Sequence, residues 1–234
     1  MIITIDGPVA SGKTTIAQQV AQQLGLFYIY SGLLFRAVAY ELTVIQHIDL
    51  EDAAALDSSI LTRVHKNHSL HYEYTPESGP SIFYDNINLT KQLTSEQIGI
   101  FASSIATNPY IRASLCEWQR NLASMHNSNI IVDGRDGGTE IFPHAQVKLF
   151  ITASIDERAR RLQKRDQKVS FQQARTFIIH RDTQDSSRSI APLKVAQGAY
   201  LVDTTHMSIQ QAIKTVCAHV DAYRKERNFW LDIK

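Results

Sequence analysis

A glycine-rich loop placed between a short apolar run and an amphipathic helix constrains this chain more than any other stretch. Gly7, Pro8, Val9, Ala10, Ser11, Gly12, Lys13 and Thr14, followed by Thr15, match the pattern G-x-x-x-x-G-K-[ST]. Residues 1–5 (Met-Ile-Ile-Thr-Ile) read as a buried parallel strand, and Ile16, Val20, Ala21 and Leu24 recur at helical spacing after the loop. In that setting the glycines let backbone N–H groups turn inward, and the helix aims its positive end at the same point. Lys13 is then expected at the β- and γ-phosphates of a nucleotide, and the Thr14 hydroxyl on a bound Mg²⁺.

The remaining apolar runs extend the same architecture. Residues 26–30, 129–133, 147–151 and 199–202 each read as a short buried strand, which with residues 1–5 predicts a five-stranded parallel sheet. Helical patterns follow: from Ser31 through Leu34, Val38, Leu42 and Ile45, then 95–107, 109–125 with Pro109 at its start, 155–165, 170–181 and 208–227. Residues 52–64 are weakly helical, and the aromatic tail Phe229-Trp230 is expected to pack on the body. The pattern breaks where Leu70, Tyr72 and Tyr74 alternate with polar residues, ahead of a turn with Pro76, Gly79 and Pro80 and then Ile82, Tyr84 and Ile87. That period of two predicts a small antiparallel β insertion at about 65–90. The fold class is α/β: a three-layer α/β/α P-loop architecture carrying this insertion.

Ligands of such sheets gather at the carboxyl ends of the strands. Arg36 lies one turn into the helix after the second strand, Arg112 in the first turn of the 109–125 helix, and Gly134-Arg135-Asp136 directly beyond the third strand. Asp133, an acid closing an apolar strand, is a candidate support for the Mg²⁺ shell. Arg158, Arg160, Arg161 and Arg165 share the 155–165 segment.

Composition narrows the function classes. The 234 residues carry 24 basic and 23 acidic side chains, net +1, which argues against a general nucleic-acid or membrane-surface binder. Cys116 and Cys217 make no C-x-x-C pair and read as small buried residues. No basic leader precedes an apolar core, and no apolar run approaches the ~20 residues of a membrane span. The chain is expected to work as a cytoplasmic monomer without nucleic acid or membrane partners.

On these residues the sequence resembles the bacterial cytidylate kinases, a branch of the nucleoside monophosphate kinases. The resemblance covers nearly the whole chain. It rests on Ile5-Asp6-Gly7-Pro8 with the phosphate loop, Ser31-Gly32 with Arg36, the β insertion, and Pro109-x-x-Arg112. Two further segments are Gly134-Arg135-Asp136-x-Gly138-Thr139 and Arg181-Asp182-x-x-Asp185-x-x-Arg188-x-x-Ala191-Pro192-Leu193. It implies phosphoryl transfer from Mg–ATP to CMP or dCMP, with Lys13, Arg135 and Arg188 catalytic. Gly7 through Thr15, Arg158 and Arg161 would bind ATP. Ser31, Arg36, Arg135 and Arg188 would surround the CMP phosphate and sugar side, Arg181 and Asp185 the sugar, and Ser103, Arg112 and Asp136 the cytosine edge. It further implies a core of 1–30, 129–155 and 190–234, a CMP-binding part at 31–128, and a lid at 156–189.

The chain departs from the family's usual pattern at several points. Tyr30 stands where an acid usually precedes Ser-Gly, Leu33 replaces a small residue, and Leu93 an arginine. Gln184 and Ser186 replace lid arginines, Gly137 replaces a bulky residue, and the lid segment is shorter. Two other readings stay open at this level: a P-loop kinase acting on another small molecule, and a P-loop nucleotide-binding regulator without turnover.

Overall fold

The computed structural model describes residues 1–49, 52, 56–57 and 70–232, with side chains through 226. Most of the 52–64 segment, the first residues of the expected β insertion and the tail aromatics lie outside the described residues. The chain divides into two compact units, Met1–Leu26 with Ser128–Lys234, and Phe27–Asn127.

In the first unit, β1 (Ile2–Asp6) is followed by α1 (Lys13–Leu24). The other strands of the unit are β6 (Ile130–Gly134), β7 (Val147–Thr152) and β8 (Tyr200–Asp203). β1 lies between β6 and β7 in parallel, with Ile2 opposite Ile130, Asp6 opposite Gly134, and Ile3 opposite Val147. β7 pairs in parallel with β8 from Leu149–Tyr200 to Thr152–Asp203. With β2 (Phe27–Tyr30) on its outer edge, the sheet order is β2-β6-β1-β7-β8. Ile3, Ile5, Ile130, Ile131, Val132, Leu149 and Ile151 are fully buried, as strands covered on both faces require. Helix α1 supplies Ile16, Ala17, Val20 and Ala21 to the core and ends at Gly25, φ 63°.

Helices α5 (Ile155–Arg165) and α6 (Phe171–Ser187) pack through Ala159, Leu162, Ala174 and Ile178, with Val9 and Ala10 of the glycine loop resting on that cluster. The sequence pattern predicts the end of α6 at Arg181, but the helix runs on to Ser187. No apolar periodicity supports this extension. Its last turns are held instead by ion pairs from Asp182 to Arg158 and from Asp185 to Arg135. The last helix, α7 (Ile209–Asp232), buries Ile213, Val216 and Val220, while Ile209, expected on the same face, is 37 % exposed. Both cysteines are half-buried rather than buried.

The second unit opens with β2 and α2 (Ser31–Tyr40), continued by a π-helical turn, Glu41–Ile45. Its antiparallel sheet contains β3 (Leu70–Thr75), β4 (Gly79–Tyr84) and the two-residue β5 (Ile87–Asn88), as the alternating pattern predicts. The Tyr72 hydroxyl fastens this sheet to β2, donating to the Tyr28 carbonyl (2.8 Å) and accepting from the Tyr30 amide (2.9 Å). Helices α3 (Glu96–Ile105) and α4 (Pro109–Met125) complete the unit. Asn108 caps α4 through the amides of Tyr110 and Ile111, and its own amide reaches the Leu56 carbonyl. Asn108→Ala is expected to cost about 1–2 kcal/mol, read as a lower denaturant midpoint at unchanged slope.

Candidate active site

The loop from Gly7 to Thr14 has the shape its sequence calls for. Gly7, φ 155°, lies so close to β7 that a Cβ there would fall 2.0 Å from the Ile151 carbonyl oxygen, so only glycine fits. Gly12 adopts φ 91° and begins α1 with no side-chain cap. The first N–H groups of that helix are thereby left to an incoming anion. Lys13 is buried, and its Nζ donates to the Pro8 carbonyl (3.1 Å). Burial pushes its ammonium down to about 7, with Arg135 acting in the same direction and Asp133, Asp185 and Asp6 opposing. Lys13 therefore sits in one electrostatic cluster with these four charges.

The Thr14 hydroxyl donates to Asp133 Oδ2 at 2.6 Å. With its proton committed there, the Thr14 oxygen keeps its lone pairs for a hard cation, a donor set that suits Mg²⁺. Among the described residues no group of three or more His, Cys, Asp or Glu could hold a metal ion. A cation here would take much of its coordination from phosphate oxygens and water.

Around the loop lies a cavity of about 660 Å³, wholly within the first unit. It is lined by the loop from Ala10 onward, by Glu157, Arg161, Lys164 and Arg165 of α5, and by Thr204, Met207, Ser208 and Ile209. Arg161 spans it: Nε donates to Glu157 (3.1 Å), Nη1 to the Ser11 carbonyl and the Thr204 hydroxyl, and Nη2 to the Thr204 carbonyl (2.7 Å). Arg158 is placed differently. It is buried behind the loop, bonded to the carbonyls of Ala153 and Val9 and to Asp182 (2.6 Å), and does not line the cavity.

Beyond β6 the charged residues form a network. Arg135 Nε donates to Asp185 Oδ2 (2.6 Å), while Arg188 lies 4.0 Å from Asp185 and 3.7 Å from Asp136. Burial alone would raise the Asp185 carboxyl, yet Arg135, Arg181 and Arg188 together hold it below its ordinary value. The backbone after Asp136 enters a π-helical turn, Gly137–Ile141.

In the second unit, Ser31 is buried at the start of α2. Arg36 Nη1 donates to the carbonyls of Leu93 (2.6 Å) and Ser95 (3.1 Å), and its guanidinium lies against Gly99, where a Cβ would meet Nη2 at 2.6 Å. One turn along α3, the Ser103 hydroxyl donates to the Gly99 carbonyl (2.8 Å). Arg112 is buried, bonds the Ala106 carbonyl and stands over the Phe35 ring at 5.5 Å. Leu93, where the family usually has an arginine, is itself fully buried.

The sequence reading gives no role to Asp6, Glu157, Asp182 or Thr204, although Asp6 and Asp182 lie in segments that carry the resemblance. Asp6 carried a legible signal, since it closes an apolar strand just as Asp133 does. It is 3 % exposed, and its two oxygens accept from the amides of Gly137 and Gly138, each at 2.8 Å. Burial lifts its carboxyl to about 6 despite those two amides, Asp136 adds to the rise and Lys13 opposes it.

The family model described as cytidylate kinase matches residues 3–222. A cytidylate kinase of Shouchella clausii is 34% identical over 96% of this chain and 97% of its own length. One from an Exiguobacterium species is 37% identical over 92% of this chain and 93% of its own. One from Thermotoga neapolitana is 36% identical over 95% and 98%. A match that runs from β1 into the last helix, through the phosphate loop and the Arg135–Arg188 network alike, places the chain in the cytidylate kinase family.

Proposed function

We propose that this protein transfers the γ-phosphoryl group of ATP to CMP, and to dCMP, giving ADP and the corresponding diphosphate. Family membership supports the reaction class. The observation that carries the mechanism is Lys13, a buried cation at an uncapped helix N-terminus beside Arg135, on the loop that borders the cavity.

The acceptor phosphate is already an anion, so no general base is needed to make its oxygen nucleophilic. That oxygen attacks the γ-phosphorus in line, the bond to the β-phosphate oxygen breaks, and ADP leaves. The barrier lies in gathering several negative charges. Lys13 and the α1 N–H groups take the donor phosphates, and the negative charge of a polyphosphate there offsets the desolvation penalty on the Lys13 ammonium. Mg²⁺, held through Thr14 with Asp133 behind it, would offset charge on the β- and γ-oxygens.

In this reading Arg161 and Arg158 hold the ATP loop, and Arg135 and Arg188 orient the acceptor phosphate. Arg181 and Asp185 attend the sugar and Asp136 reads the base. By the resemblance, Ser31 and Arg36 would attend the phosphate, and Ser103 and Arg112 the base. Residues 31–128 thus form the acceptor part, and 156–189 act as the lid. Asp136 suits cytosine, whose exocyclic amine donates where uracil presents an acceptor. The protein would act as a cytoplasmic monomer without nucleic acid; no helix among the described residues is long and apolar enough to cross a membrane.

ADP formation from ATP–Mg²⁺ with CMP, dCMP, UMP, dUMP and AMP in parallel tests the reading. CMP and dCMP are expected to exceed the others in kcat/KM by at least ~100-fold. Equal use of UMP would overturn the base assignment. ATP binding without ADP formation would make the protein a regulator instead.

A further inference from the structure

We propose that Asp6 is a positioning residue for acceptor recognition: its carboxylate fixes the Gly137–Gly138 peptides and so sets the place of Asp136. The inference rests on the reading of Asp136 as the base-contacting residue. Asp6 sits at the end of β1, before the phosphate loop, and touches neither nucleotide in the proposed mechanism. Its Oδ1 accepts from the Gly137 amide and its Oδ2 from the Gly138 amide, both at 2.8 Å and both buried. Only a carboxylate offers two acceptor oxygens on one short arm, so each amide has its own partner.

The close fit extends around the carboxylate. A Cβ on Gly137 would stand 3.2 Å from Asp6 Oδ1, and one on Gly138 would stand 2.9 Å from Thr4 Oγ1 and 3.1 Å from Ala196 Cβ. The turn thus lies on β1 as closely as two successive glycines allow. Gly137 here replaces the bulkier residue usual in the family, and the structure shows what the small one permits. Asp136 is the residue directly before the gripped amides, and its carbonyl accepts from the amides of Glu140 (2.9 Å) and Ile141 (3.2 Å). The 136–137 peptide is therefore held on both sides, its carbonyl by the Glu140 and Ile141 amides and its N–H by Asp6. The Asp136 side chain lies 3.7 Å from Arg188 and departs from the backbone one atom before the peptide that Asp6 holds.

Asp6→Asn keeps the shape but turns an amide donor toward one of the two N–H groups, leaving a buried donor unpaired. The expected result is a KM for CMP raised at least ~10-fold, a KM for ATP within about 2-fold of wild type, and a CMP-over-UMP preference reduced at least ~10-fold. Gly137→Ala, which presses the turn away from an intact carboxylate, is expected to shift the same quantities in the same direction, and it decides the question if Asp6→Asn does not fold. Parallel loss of CMP and ATP affinity in the folded variants would reduce Asp6 to a structural role and overturn the inference. So would unchanged CMP affinity and base preference. Asp136→Asn serves as the separate check. If it leaves base preference intact, the reading of Asp136 fails. If it abolishes preference while Asp6→Asn and Gly137→Ala retain it, only the present inference fails.

Discussion

Lys13→Ala is expected to lower turnover at least ~100-fold while the protein stays folded. The two halves of that expectation have different causes. The ammonium makes one hydrogen bond, to the Pro8 carbonyl, and its burial is costly enough to pull its pKa down to about 7. Deleting it removes a desolvated charge along with that bond, so the stability change should stay within about 1–2 kcal/mol. Catalysis has no such compensation. The charge that meets the transferring phosphoryl group disappears, and Arg135, engaged with Asp185, is not placed to substitute for it. ADP formation with CMP, measured beside a thermal melt, separates the two effects. A near-normal rate in a folded variant would remove Lys13 from the chemistry.

Arg188→Met is expected to impair both stability and turnover. The guanidinium is buried between two acids, 3.7 Å from Asp136 and 4.0 Å from Asp185, and its Nε bonds the Ala191 carbonyl. Asp185 keeps Arg135 when Arg188 is lost, but Asp136 loses a cation in a buried setting. The expected cost is about 2–4 kcal/mol in denaturant unfolding, below the upper range for a broken buried pair because one acid stays bonded. Turnover with CMP should fall ~100-fold, with KM for CMP rising more than KM for ATP. The depressed pKa of Asp185 contributes stability that is complete above pH ~4 and is lost as pH falls through the folded value; Arg188→Met should shrink that contribution. Arg175→Met provides the contrast: its pair with Asp156 is largely solvent-exposed, so stability should move by less than ~0.5 kcal/mol.

Much of the architecture was legible because strand and helix periods write it directly. β1 is a β-branched run that ends at Gly7-Pro8 and β7 a short apolar run, α5 matches the predicted 155–165 span, and the alternation around Tyr72 marks the antiparallel sheet. The misses share a cause. The final turns of α6 have no apolar stripe, because the groups holding them, Arg158 and Arg135, come from elsewhere in the chain. Cys116 and Cys217 looked like core residues by type, yet their positions leave them half-covered. Asp6 shows locally only that it closes an apolar strand; its partners, two glycine amides, lie 131 and 132 residues away, so its role leaves no local trace. The phosphate loop could be read because its chemistry is set by residue types at close intervals, whereas the roles of Arg135, Asp185 and Arg188 follow only from the family resemblance. Asp6, Asp182 and Thr204 act by holding backbone or a neighbouring charge, and only folded geometry exposes that work.

The central place of β1 has a consequence for synthesis. Its neighbours on either side are residues 130–134 and 147–150, so β1 cannot pair until synthesis has passed residue 130. At ~5–20 residues per second the wait is on the order of 10 s. The Ile151 carbonyl that encloses Gly7, and the Arg161 and Thr204 grip on Ser11, arrive later still. A nascent chain halted before Thr204 should therefore gain no protection from ATP, even though every residue of the loop had been made.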